Sequence, residues 1–264
     1  MINWPNFVSQ VFNGLALGAL LALISSGLTI IYGTLGVLNL AHGAMFMIGG
    51  YAGYVAYNYT GSFIVAVIAG SLFVAILGIV FVELIRFMFG SQSQIVPPPP
   101  LFAGITSLGF LFYPTYRLAV VGIIAVALTS LFVVLYRTRI GMIVRAGIED
   151  SVMVDALGIN VYRVFMFVFG IGAMAAGFAG IVNAPVVSLT PGIGDDILVQ
   201  TFVVVVIGGV GSFPGAILGG LIAGEIISIT SMFNPGYAYV MLFAAMALVL
   251  VVRPYGLLGS AGRE

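Results

Sequence analysis

Stretches of about twenty apolar residues recur from one end of this chain to the other, and each is long enough to cross a hydrocarbon core of roughly 30 Å as a helix. Nothing constrains the fold more. A chain with one such stretch is anchored to a membrane, whereas a chain made of them has little water-soluble surface left. The composition agrees: 62% of the 264 residues are hydrophobic and 6% are charged, where a soluble domain of this length carries about 25% charged residues. The expected fold is an all-α polytopic membrane protein, read as a single domain over residues 1–264.

The apolar periods place helices near 8–31, 38–57, 62–87, 118–136, 162–184, 197–208, 212–230 and 236–252, about eight transmembrane or re-entrant segments. The 197–208 piece is too short to span alone. With 212–230, across "GGVGSFPGA", it reads either as two tilted helices or as a re-entrant element, since irregular backbone at that depth must be covered by protein or a water cavity. Two stretches do not read as spans. In 91–117 a run of four prolines cannot continue a helix, lacking the amide donor. In 137–163 lie Arg137, Arg139, Arg145 and Arg163, half of the eight basic residues, which puts that loop in the cytoplasm by the positive-inside rule. Arg253 and Arg263 put the C-terminus on the same side, and the proline loop then falls outside. MINWPNFVSQ, with no basic residue and no small-residue cleavage site, is not read as a signal peptide.

Several chemistries lose support at this stage. There are no cysteines, so disulfides and thiolate metal sites are excluded. Zero net charge argues against nucleic acid as a partner. "GGVGSFPGA" lacks the lysine that a phosphate-binding loop needs after its glycines. No nucleophile–base set and no His/Asp/Glu metal cluster occurs at usable spacing, so neither an enzyme nor a metal site is expected. Glu83, Arg86 and Glu225 are the ionisable residues in or near spans, where charge is functional by default. Glu83 and Arg86, three apart, read more simply as a pair on one helix face. Gly14 and Gly18, Gly215 and Gly219, and Gly220 and Gly224 have the four-residue spacing that lets helices pack closely in lipid.

The loop 137–163 carries the strongest functional signal. In "RAGIEDSVMVDALGINVYR", Asp150 or Ser151 suits the N-cap of a short helix and Gly158 its end. Val152, Val154, Ala156, Leu157 and Ile159 are apolar while Asp150 and Asp155 are polar. Such a helix is either a solvated connector or a plug for a groove on a soluble partner.

Three blocks, "GLTIIYGTLGVLNLAHGAMFMIGGY", "RAGIEDSVMVDALGINVYRVFMFVFGIGAMAAGFAGI" and "DDILVQTFVVVVIGGVGSFPGAILGGLIAGEI", resemble in order and spacing the signature blocks of branched-chain amino acid ABC importer permeases. The resemblance implies an inner-membrane, multi-pass subunit that binds no cofactor itself. ATP and Mg would be used by partner ABC ATPase subunits. A second homologous permease and a periplasmic or lipid-anchored solute-binding protein would complete the importer, embedded in membrane lipid. The coupling loop 137–163 would meet the ATPase through Arg145, Glu149, Asp150, Asp155 and Gly158. Similar permeases import urea or short amides, and a stand-alone channel or carrier for a small neutral solute is the reading from another class. One departure stands out: the family has a basic cytoplasmic turn and a further helix before the proline-rich loop, and this chain is about 30 residues short there.

The first block also bears on the path of the solute. Gly33, Gly36, Gly43, Gly49 and Gly50 each lower helix propensity by about 1 kcal/mol, as suits a broken helix in a transporter. Asn39 and His42 lie three apart and so share a face. Asn39, His42 and Gly43 are the expected pathway residues, either holding the exposed backbone of the break or contacting solute. The plainer alternative is a satisfied structural pair.

Overall fold

The computed structural model describes residues 4–35, 42–77, 94–107, 109, 112–190 and 193–259. Eight long helices lie within them: α1 (Trp4–Leu35), α2 (His42–Thr60), α3 (Phe63–Leu77), α4 (Thr115–Arg137), α7 (Val161–Asn183), α8 (Ile193–Gly208), α9 (Phe213–Phe233) and α10 (Ala238–Val252). Two short ones, α5 (Arg139–Glu149) and α6 (Ser151–Ala156), fill the basic loop. The all-α polytopic fold expected from the apolar periods is the one observed. The proline-rich stretch forms a 3-10 turn, Pro100–Phe102, and a two-stranded antiparallel hairpin, β1 (Ile105–Ser107) with β2 (Phe112–Pro114). Sequence reasoning left that hairpin as irregular loop.

Helix α1 is the axis of the bundle. It runs against α9 along a seam of small residues: a Cβ added at Gly18 would come within 2.9 Å of the Leu221 Cα, and one at Gly224 would collide with the backbone of Gly18. The other small pair, Gly215 and Gly219, faces Gly208 and Val204 of α8. All three spaced pairs named from the sequence therefore sit in helix–helix seams. A second knot joins α2, α3 and α7, where Gly49, Gly70 and Gly177 meet backbone to backbone. Lipid tails are as apolar as leucine, so close backbone approach supplies the association energy that burial supplies in water.

The α8–α9 connection is a tight turn. The two helices turn back on each other as a hairpin, with Gly208 opposite Gly215 and Val204 opposite Gly219. Gly209 and Gly211 take φ values of +104° and +82°, which only glycine adopts without strain. The Ser212 hydroxyl then accepts a hydrogen bond from the Gly215 amide at 3.1 Å and caps α9. The free carbonyls that end α8 accept from the C-terminal segment, Ile207 from the Leu257 amide and Gly208 from the Leu258 amide, both at 2.9 Å.

Side-chain contacts fix which ends share a face. Near the start of α1, Asn13 accepts hydrogen bonds from the Tyr113 hydroxyl at 2.8 Å and from the Arg117 guanidinium. Tyr51 on α2 donates to the Leu189 carbonyl after α7, and Leu189 in turn bridges to Gln94. The beginning of α1 and the hairpin thus share one face. On the opposite face Ile30, Leu135, Val144, Val168 and Phe213 form a common cluster, beneath α5. The start of α1 lies across the bundle from the arginine-rich loop.

Candidate functional site

Of the sequence block, His42 and Gly43 fall inside the bundle. Asn39 lies outside the described residues. His42 opens α2 and is fully buried. Its Nε2 lies 2.9 Å from the Ile24 carbonyl oxygen of α1. A carbonyl only accepts, so Nε2 carries the hydrogen and Nδ1 is left as an acceptor, with no partner among the described residues. Ile24 precedes the end of α1 by eleven residues, so α2 begins about 16 Å before that end, at 1.5 Å per residue. The start of α2 is inside the bundle.

A second helix begins at the same place. A Cβ at Gly43 would collide with the carbonyl oxygen of Gly194, in the first turn of α8. The N-terminal turns of α2 and α8 therefore abut, and each brings backbone N–H groups that have no carbonyl four residues back together with the positive end of its dipole. Asp195 and Asp196, in the first turn of α8, are the charge type that this end favours. Around the junction are hydroxyls that the sequence reading passed over. Ser25 donates to the Thr201 carbonyl at 3.5 Å. The hydroxyls of Thr29 and Thr201 are buried without partners among the described residues. A buried polar group without a partner is costly, by about 1–3 kcal/mol. Three such groups, one each on α1, α2 and α8, are buried with no partner among the described residues, and each can exchange a hydrogen bond with a polar molecule that reaches it.

Glu225 lies elsewhere, on α9 against Gly14 of α1: a Cβ at Gly14 would come within 2.6 Å of its Oε2. That oxygen too is buried without a partner among the described residues. Glu83 and Arg86 lie outside the described residues.

The second region is the basic loop. The Asp150 carboxylate accepts from the Met153 amide at 2.9 Å and caps α6. At the other end the Gly158 amide donates to the Asp155 carbonyl at 2.9 Å and the Ile159 amide to the Val154 carbonyl at 3.4 Å, the paired bonds of a left-handed helix stop. Gly158 takes φ +79° with open space where a Cβ would be, so backbone conformation alone calls for glycine. Val154 is buried, while Met153, Asp155, Ala156 and Leu157 are exposed. The short helix thus presents Met153 and Leu157 outward, with exposures of 59% and 72%. Glu149 ends α5. Arg145 points back into the chain: its guanidinium lies 5.2 Å from the Tyr136 ring centre and donates to the Leu135 carbonyl. It braces the elbow between α4 and α5. The structure therefore brings Asp150, Asp155 and Gly158 onto one exposed helix and separates Arg145 from them in role.

A bundle of apolar helices with a buried polar junction and a short helix held out on its basic face is the architecture of a transport permease. The family model described as branched-chain amino acid transport system / permease component matches residues 10–90 and 80–251, and the chain belongs to that family. It is 32% identical to the high-affinity branched-chain amino acid transport system permease protein LivH of Salmonella typhimurium, covering 96% of each chain. Identity to the corresponding permease protein BraD of Pseudomonas aeruginosa is 28%, again over 96% of each. A differently named permease of such a system, LivM of Escherichia coli, is 27% identical over 97% of this chain and 72% of its own. The relatives are transport permeases, as the sequence blocks implied.

Proposed function

We propose that this chain is the membrane-spanning subunit of an ATP-driven importer that passes leucine, isoleucine, valine or similar small amino acids across the inner membrane. ATP and Mg are used by partner ATPase subunits, a second homologous permease completes the pore, and a periplasmic or lipid-anchored solute-binding protein delivers the solute. The similarity to both LivH and LivM supports pairing with a related permease. Loop 137–163 faces the cytoplasm and the hairpin faces outward.

The observation that carries this reading is the junction of α1, α2 and α8. Amide groups from two helix starts suit a carboxylate, and the bare Nδ1 of His42 with the free hydroxyls of Thr29 and Thr201 suits an ammonium group. Asn39, His42 and Gly43 lie on the solute path in this account. Work from ATP hydrolysis enters through α6, with Asp155 and the Leu157 side at the contact and with Asp150 and Gly158 holding the helix in shape. Arg145 and Glu149 serve by fixing how α5 leads into it.

The test is reconstitution with the ATPase, second permease and binding protein encoded by neighbouring reading frames. ATP-dependent leucine uptake into vesicles is expected, with no ATP hydrolysis by the chain alone. Uptake without ATP would identify a carrier or channel instead. Uptake of urea or a short amide in place of leucine would keep the mechanism and replace the substrate.

A further inference from the structure

At the arginine-bearing end of the spans, a cavity of about 600 Å³ opens between the end of α4, the α8–α9 turn and the segment after α10. No acidic residue is in its wall. Hydrogen-bond donors are. The Ser212 hydroxyl accepts from the Gly215 amide and keeps its own hydrogen to give. The amides of Val210 and Gly211, in the turn, make no backbone hydrogen bond among the described residues. Tyr136 and Tyr255 each bring a hydroxyl to the wall.

Two cations stand at the rim. The Arg145 guanidinium lies 5.2 Å from the centre of the Tyr136 ring. Arg253 is exposed, precedes the lining residue Pro254, and donates to the Leu257 carbonyl at 3.2 Å. A guanidinium carries several N–H donors in a fork that matches phosphate oxygens. The bonds to Leu135 and Leu257 use one nitrogen of each. Donors in the wall, cations at the edge and no carboxylate suit an anion with several acceptor oxygens.

The kind of anion follows from what adjoins the cavity. Leu250 of α10 is part of the wall, and its neighbours Leu248, Val251 and Val252 are exposed. On a spanning helix, exposed side chains of this kind are solvated by lipid tails. Both α4 and α10 end here, at Arg137 and Val252, and tyrosines beside such ends sit at headgroup level. The polar cavity therefore runs directly into a lipid-facing wall. A free anion uses the first feature only, whereas an anionic head with apolar tails uses both.

We propose that this cavity binds the phosphate headgroup of an anionic phospholipid from the adjoining leaflet, with its acyl chains along α10. Bound there, the lipid braces the α8–α9 turn against the C-terminal segment, whose Leu257 and Leu258 amides already hold the end of α8. The inference is independent of the solute path, and its failure leaves the transport reading untouched.

The test follows the melting temperature of the purified full chain in uncharged detergent. Short-chain phosphatidylglycerol, short-chain phosphatidylcholine or inorganic phosphate is titrated in. A ligand of the folded state raises melting in proportion to its affinity. Phosphatidylglycerol is expected to act at a concentration about tenfold below either of the others, and Arg253→Gln to weaken it about tenfold, as for loss of a charge-assisted hydrogen bond. Arg163→Gln removes the same charge at the start of α7 and should leave the titration unchanged. Val210→Trp fills the cavity from a position already 45% exposed. It should melt like the unaltered chain without lipid and show no rise with phosphatidylglycerol. Because it keeps Arg253 and its bond to Leu257, it decides the matter even where Arg253→Gln fails to fold. An equal rise with phosphatidylcholine would mean ordinary solvation by lipid, and an equal rise with phosphate a site for a free anion. Either overturns the proposal. So does an equal loss in Arg163→Gln, or a full rise in Val210→Trp.

Discussion

Helices α1 and α10 are equally apolar, with a mean hydropathy of 2.1 over their most apolar windows, yet 89% of the first window is buried and 11% of the second. One difference is where the smallest side chains stand. In α1 the positions that meet another helix at backbone distance include Gly14, Gly18, Ala22 and Gly27. In α10 the exposed positions are Val240, Met241, Phe243, Leu248 and Val251. In water, hydropathy itself sorts inside from outside, because burial of apolar surface is the driving force. In a bilayer it does not, because lipid is as good a solvent for leucine as the core is. Small residues then mark the closest helix–helix seams, with large side chains such as Leu21, Ile24 and Phe46 buried beside them.

The largest expected effect tests that rule directly. Gly18→Val or Gly224→Val drives a branched side chain into the opposing backbone. Overpacking of this kind costs about 1–3 kcal/mol and occasionally more. Loss of folded protein, or a clear drop in melting temperature in detergent, is expected. Leu248→Ala and Val251→Ala on α10 should shift stability by no more than about 0.5 kcal/mol, as at surface positions elsewhere. Equal losses on the two helices would break the comparison. Only a partner seated on α10 would then explain it.

A second contrast sets the rigid seams against α6, where Val154 is the buried one among the described side chains. Gly158→Val opposes a φ of +79°, and Asp155→Arg reverses an exposed charge. Both should leave the yield of the membrane-embedded complex near normal. Both should strongly reduce ATP-driven uptake, with ATP hydrolysis by the complex no longer stimulated by the binding protein. Normal uptake in both variants at normal yield would remove α6 as the coupling element. Arg145→Ala should behave differently, lowering the melting temperature by freeing the α4–α5 elbow. Matched loss of uptake and unchanged melting would return Arg145 to the contact itself.

A third, smaller effect concerns the hydroxyls at the junction. Thr29→Val and Thr201→Val keep shape and remove a buried oxygen that has no partner among the described residues. Stability should stay level or rise slightly, by up to about 1 kcal/mol, while the KM for uptake increases. A fall in melting temperature would mean that these hydroxyls are structurally bonded.

The sequence carried some of this plainly and some not at all. Apolar runs and their breaks located all eight long helices, because length against bilayer thickness is a strong constraint. Asp150 and Gly158 announced α6 through capping chemistry that acts within a few residues. The spaced glycines pointed to seams but not to their partners: nothing local says that Gly18 meets Gly224 or that Gly49 meets Gly70. The hairpin at 105–114 was hidden by the prolines beside it. Thr29 and Thr201 were missed because a hydroxyl in an apolar helix usually bonds its own backbone, as Ser26 does with the Ala22 carbonyl at 2.5 Å. Only packing showed that these two do not. Arg145 was grouped with the exposed helix by nearness in sequence, and its stacking on Tyr136 is a tertiary fact.

The central claim is that the junction at His42, with Asn39 three residues before it in the sequence, serves transport rather than assembly. It is tested by measuring leucine uptake and complex yield on one preparation of Asn39→Leu and of His42→Phe. The account predicts near-normal yield with uptake reduced at least tenfold, equivalent to about 1.4 kcal/mol. Collapsed yield in both variants, or uptake indistinguishable from the unaltered chain, would contradict it.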